Sequence, residues 1–151
     1  MSATAQFHTN GRRYYNKLLN GVQAPPATLY IGLRTLDGTG SHPSDAAIGD
    51  TLASATTLAE VSGGGYARVP ITVSSANVAE AVSGNNSVLT FSQVTFSFTG
   101  TLSGITHAFL ATSSDNTGTL LASAPLSVTR NVANGDQLKE TFTFTLSSPT
   151  G

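Results

Sequence analysis

The cleanest hydrophobic pattern lies near the end of the chain, where Phe142, Phe144 and Leu146 alternate with Thr141, Thr143 and Thr145. A period of two predicts a strand with one buried and one polar face. Burying two Phe and one Leu stabilises by about 1.5–3 kcal/mol each. Residues 28–34 (TLYIGLR) place Leu29, Ile31 and Leu33 on one side and read as a largely buried strand. Residues 66–73 (YARVPITV) form another, but Pro70 cannot donate to a ladder, so an exposed edge or a bulge is expected there. In 88–98 (VLTFSQVTFSF) the phase changes, with Leu89 and Phe91 of one parity and Val94, Phe96 and Phe98 of the other. One extra residue near Ser92 and Gln93 returns both sets to one face, which predicts a bulge. Short strands at 105–111 and 119–124 flank the turn cluster SSDNTG, and 126–129 adds another. Asn134-Gly135 is the strongest short turn signal in the chain.

Ahead of the strands the period lengthens. Tyr15, Leu18 and Leu19 fall at i, i+3 and i+4 and make one apolar stripe on a helix over 10–20. Thr9 or Asn10 can cap its start, and Gly21 stands where a left-handed residue ends a helix. Such a short helix must dock on something. Residues 1–9 read as a flexible arm, and Pro25 and Pro26 force an extended approach to the first strand. Residues 36–59 carry Gly, Ser, Pro and Asp without period. They are expected to form a long loop of the kind that is often functional or disordered, with at most a helical turn over 50–59. Many short strands with frequent turns predict an all-β fold, an antiparallel β-sandwich or jelly-roll-like domain over 10–151 with a short N-terminal helix. At 151 residues one domain is the default.

Composition changes this picture in one respect. Only 10% of the residues are charged and the net charge is −1, against about 25% charged in ordinary domains. Polarity comes from 18 Ser and 22 Thr. A surface poor in charge loses little hydration when another protein covers it. Two readings follow: a protein that lives in contact with neighbours, or a Ser/Thr-rich β surface of the ordinary kind. No basic excess argues for nucleic acid. No run of about 18 apolar residues argues for a membrane span, and the first residues lack a hydrophobic secretion core. With no cysteine, disulfide and thiolate chemistry are excluded, which fits synthesis in a reducing cytoplasm.

The sequence offers few groups for chemistry. The acids Asp37, Asp45, Asp50, Glu60, Glu80, Asp115, Asp136 and Glu140 form no spaced pair on a strand face, as glycoside hydrolysis needs. His8, His42 and His107 show no metal-ligand spacing, and His107 is expected on or near a sheet surface. No serine elbow occurs. Gly63, Gly64 and Gly65 lack the Lys-Ser/Thr of a phosphate loop and read as a tight turn. No catalytic residue, metal or cofactor is therefore assigned, and the chain reads as non-enzymatic. The arm with the start of the helix (Phe7, His8, Arg12, Arg13) and the long loop (His42, Asp45) are the candidate contact segments, because flexible segments can order on binding.

One segment, EVSGGGYAR (60–68), stands apart. Its glycines permit a tight reversal, and Tyr66 and Arg68 share a side by parity. Arg68 is expected to pair with Glu60 across the turn or to stack on Tyr66, shaping the fold rather than binding a ligand. The motif follows NKLLNG and LYIGLRT and precedes VTFSF, GITHAFL, LLASAPL and NGDQLKETFTFTL. Together these segments resemble a family of small tailed-bacteriophage virion proteins, labelled tail-fibre-like or minor structural proteins. Some of its members resemble capsid decoration (cement) proteins. The loop at 36–59 is long for that family, and 98–104 lacks its Trp. The resemblance implies a virion structural protein. The leading expectation is a cement protein on the capsid exterior that bridges major capsid proteins as a homo-dimer or homo-trimer. The alternatives are a tail, neck or fibre-base component and, further off, a glycan-binding adhesin module.

Overall fold

A computed structural model describes residues 6–35, 59–84 and 86–146. The architecture is an antiparallel β-sandwich. One layer is a five-stranded sheet of β1 (Gln6–Phe7), β2 (Thr28–Thr35), β3 (Val69–Thr72), β7 (Leu102–Ala111) and β8 (Leu120–Val132), in the order β1-β8-β7-β2-β3. The other joins a three-stranded sheet of β4 (Val78–Ser83), β5 (Asn86–Phe91) and β10 (Thr143–Leu146), ordered β10-β5-β4, to a β6–β9 pair (Val94–Ser97 and Gln137–Glu140). Between the layers Leu29, Ile31, Leu33 and Leu110 meet Phe91, Phe96, Phe142 and Phe144. The Phe91, Phe142 and Phe144 rings pack edge-on or tilted, 5.2–6.3 Å apart, the geometry aromatic quadrupoles favour.

The phase change at Ser92 and Gln93 has the expected cause. The Phe91 N–H donates to the Phe142 carbonyl, and Val94 lies opposite Glu140. Two residues therefore face Thr141 alone, and the inserted residue returns Phe91, Val94, Phe96 and Phe98 to the core. The same bulge divides what reads as one terminal strand into β9 and β10. Pro70 lies in β3, an edge strand of the five-stranded sheet among the described residues. The expected strand at 126–129 is part of the longer β8. Asn134-Gly135 makes its turn, with Gly135 at φ 91°, and carries the chain from one layer to the other.

The N-terminal region differs from its expectation. Gln6 and Phe7 are not part of a free arm. They pair with Ser123 and Ala122 of β8, and the His8 N–H donates to the Leu121 carbonyl at 2.9 Å. Helix α1 (Thr9–Leu19) starts one residue early, with His8 at its N-cap and no side-chain cap. Its buried face is also rotated. Gly11, Tyr14 and Leu18 face the sandwich, while Tyr15 and Leu19 are 49% and 71% exposed. Gly11 sets this rotation. A Cβ there would stand 2.1 Å from the Leu121 carbonyl oxygen, so only glycine lets the helix backbone lie on β8. The Gly21 C-terminus forms as expected, at φ 73° with its N–H on the Leu18 carbonyl.

Strand β4 has no counterpart in the sequence reading. Its residues VAEAVS are mostly exposed, and Ala and Glu give no β signal. It exists because it pairs along its length with β5.

Candidate functional site

The EVSGGGYAR segment builds a polar hub at the edge of the five-stranded sheet. Ala59 sits at φ 49°, an uncommon conformation for a residue with a Cβ. Its carbonyl accepts the Thr35 N–H, and the Val61 N–H returns to the Leu33 carbonyl. Glu60 is thereby held beside Arg34 as an added rung on β2. Gly63, Gly64 and Gly65 follow with φ of 80°, 55° and 74°, closed by the Tyr66 N–H on the Gly63 carbonyl. The turn packs against the β6–β7 connection. The Thr99 N–H donates to the Gly64 carbonyl at 2.8 Å, and a Cβ on Gly65 would lie 2.5 Å from the Thr99 hydroxyl.

This reversal returns Tyr66 and Arg68 to Glu60. The Arg68 Nε donates to Glu60 Oε1 at 2.8 Å and Nη2 to Oε2 at 2.6 Å, a bidentate fork. Tyr66 donates to the same Oε1 at 2.8 Å, and its oxygen accepts the Leu33 N–H at 2.9 Å. Arg68 also reaches the β7–β8 loop. Nη1 donates to the Ser113 carbonyl at 3.0 Å and to the Asp115 carbonyl, and Nη2 to Asn116 Oδ1 at 2.9 Å. All five guanidinium N–H groups are thus used. The guanidinium carbon stands 5.2 Å from the Phe109 ring centre, while Tyr66 stacks on Phe96. The aromatic partner of Arg68 is therefore Phe109, not Tyr66.

The electrostatics of the hub follow from its burial and its own hydrogen bonds. Burial works against the Arg68 charge, but the hydrogen bonds and charge of Glu60 outweigh it and hold the guanidinium protonated more firmly than usual. Burial, then the Glu60 charge, pushes the Tyr66 phenol well up. Hydrogen bonds from the Thr117 side chain and N–H lower Asp115. Both Glu60 carboxylate oxygens are engaged, Oε1 by Arg68 and Tyr66 and Oε2 by Arg68. Phe109, Ser113 and Asn116 were not foreseen as hub residues. Only the SSDNTG turn signal pointed at their neighbourhood, and 41–48 positions separate them from Arg68.

The other candidate residues do not gather here. His8 is 5% exposed, and its Nε2 is 2.9 Å from the Ser123 hydroxyl. It anchors β1 and α1 and is not an available contact. Phe7 lies in β1, and Arg12 and Arg13 are exposed on α1. His107 is 2% exposed rather than at a surface, enclosed because it lies between Arg34 of β2 and Pro125 of β8. His42, Asp45, residues 1–5 and the possible helical turn up to residue 58 lie outside the described residues.

At the other side of the sandwich, α1 and the β4–β5 hairpin leave an apolar groove of about 270 Å³. Tyr14, Leu18, Pro26, Val78, Leu89 and Phe144 are among its walls.

Residues 8–144 match the family model described as Podophage GP4 fiber I protein gp80. The chain belongs to this family. No curated protein matches it. The match runs from His8 at the start of α1 to Phe144 in β10, so it takes in the hub and the groove together. Membership in the gp80 family makes this a tailed-phage, fibre-related structural protein.

Proposed function

We propose that the chain is a non-enzymatic packing component of the phage fibre apparatus, located at the tail or fibre base of the virion. The observation that carries this reading is the fibre-family match over 8–144. Its mechanism is linkage: a protein that binds only the assembled structure stabilises that structure by mass action. The partners are tail or neck proteins and further copies of the chain. The 10% charged composition supports this, because a weakly charged surface is cheap to cover. The cement reading, with copies bridging major capsid proteins on the head, draws on the same low charge. That property does not favour head over tail, and the family description favours the fibre. Within the fold, Glu60, Gly63–65, Tyr66 and Arg68 serve to hold the sheet edge and the β7–β8 loop rigid, and they bind no ligand.

Imaging of particles that carry a tagged chain tests the location. Labels at the tail, in multiples of three or six, are expected. Labels spread over the head in hundreds of copies would replace this reading with the cement one.

A further inference from the structure

We propose that Asn20 is a self-modifying site, where the Gly21 nitrogen closes on the side-chain amide and converts it to an aspartyl or isoaspartyl residue. This goes beyond the fibre assignment and does not depend on where in the particle the chain sits. Such closure meets least hindrance in an Asn-Gly pair, because glycine puts no Cβ beside the attacking nitrogen and lets the backbone turn. The chain has three such pairs: Asn10-Gly11, Asn20-Gly21 and Asn134-Gly135. The fold treats them differently. Gly11 lies inside α1, so close to β8 that a Cβ would stand 2.1 Å from the Leu121 carbonyl oxygen. The rotation that closure needs is blocked there. The Gly135 N–H is committed to the Phe98 carbonyl at 2.8 Å. Its turn is also tied by the Ala133 N–H on Asp136 Oδ2 and the Asp136 N–H on the Ala133 carbonyl.

Asn20 is exposed, at the C-cap of α1. The Gly21 N–H reaches the Leu18 carbonyl at 3.2 Å, a longer bond than the one that holds Gly135. Leu19 and Val22 on either side are 71% and 75% exposed, so little packing holds this turn shut. Asn20 has ψ 6° and must rotate before its Cγ meets the Gly21 nitrogen. The end of a helix is where such opening costs least. The side chain is bent forward over the Gly21 peptide, since the Val22 N–H donates to Asn20 Oδ1 at 3.1 Å. A donor on that oxygen makes its carbon more open to attack. In the closure, Gly21 gives up its N–H proton, its nitrogen bonds to Asn20 Cγ, and the side-chain nitrogen leaves as ammonia. Water then opens the five-membered imide at either carbonyl. One opening leaves Asp; the other routes the main chain through the former side chain. Both products place a carboxylate at the helix C-terminus, where the dipole disfavours it, in a chain whose net charge is only −1. The isoaspartyl product also lengthens the backbone and displaces the Gln23 N–H from the Lys17 carbonyl.

The test uses the purified full chain, held in mildly alkaline buffer and sampled over time. Each sample is digested and mapped by mass spectrometry that separates Asp from isoAsp. Asn20 is expected to convert several-fold faster than Asn10 or Asn134, with isoAsp in excess of Asp. In the urea-unfolded chain the three rates should draw level. Asn20→Gln, whose longer side chain closes slowly, should hold its position on isoelectric focusing while wild type moves to the acidic side. Native conversion led by Asn10 or Asn134, or equal at all three pairs, overturns the inference. So does an Asn20 that keeps its amide, one that yields Asp without isoAsp, or an Asn20→Gln chain that acidifies as fast as wild type.

Discussion

The hub around Arg68 and the groove beneath α1 use the chain's few strong side chains in opposite ways. At the hub, a carboxylate and a guanidinium are withdrawn from water, with side-chain exposures of 18% and 3%. Past Leu18 of the groove wall, at the end of α1 and in the turn after it, Leu19 and Val22 are left in water at 71% and 75% exposure. Burying an ion pair adds little net stability unless every remaining donor and acceptor is satisfied, and here all five Arg68 N–H groups are. The groove leaves apolar wall uncovered among the described residues. The contrast teaches that polar groups here are withdrawn from water only where their hydrogen bonds are complete, whereas apolar burial is left incomplete at the groove.

The largest effect should come from breaking the hub. Arg68→Ala strands Glu60 and unties the β7–β8 loop, and loss of one partner of such a pair costs about 3–5 kcal/mol. A thermal melt should fall by roughly 10 °C for a domain of this size. An unchanged melt would mean that the hub is not what stiffens the sheet edge.

The groove side offers the next test. Gly11→Ala pushes a methyl into the Leu121 carbonyl, and overpacking of this kind costs about 1–3 kcal/mol. The loss should be local, with faster amide exchange in α1 and little change in β2, β5 and β10. A uniform loss of protection would show that the helix is integral to the core.

Tyr66→Phe removes one donor to Glu60 and leaves the Leu33 N–H without its acceptor, a cost of about 1–2 kcal/mol in urea denaturation. It also carries a pH signature. The folded-state phenol is raised, so its contribution is complete below the unfolded value near pH 10 and declines as pH rises above it. Wild type should lose stability above about pH 10 more steeply than Tyr66→Phe. Parallel curves for the two proteins would contradict the assigned burial of the phenol.

The smallest effect separates conformation from packing within one turn. Gly63 has φ 80° but open space around it, so Gly63→Ala should cost only the left-handed penalty of about 1 kcal/mol. Gly65→Ala meets Thr99 as well and should cost measurably more in the same melt. Equal costs would mean that the contact with Thr99 adds nothing.

Much of the fold was legible because strand signals are local. The phase break at Ser92 and Gln93, the edge position of Pro70 and the positive φ at Gly21 and Gly135 each follow from a residue's own backbone or parity. So does the tight GGG reversal. Strand β4 was not legible, because VAEAVS acquires its structure from the ladder to β5 rather than from its own propensity.

The sequence by itself determined that the chain is β-rich, that 60–68 reverses tightly, and that little charge is available for a surface to lose when it is covered. Only the tertiary structure decided which face of α1 turns inward, since that depends on Gly11 meeting the Leu121 carbonyl across 110 positions. It also decided that Arg68 closes on Ser113, Asp115 and Asn116, and that His8 and His107 are buried. Local periodicity reports how a segment can bury itself. What it is buried against is set by contacts between distant segments, and no short-range pattern encodes those.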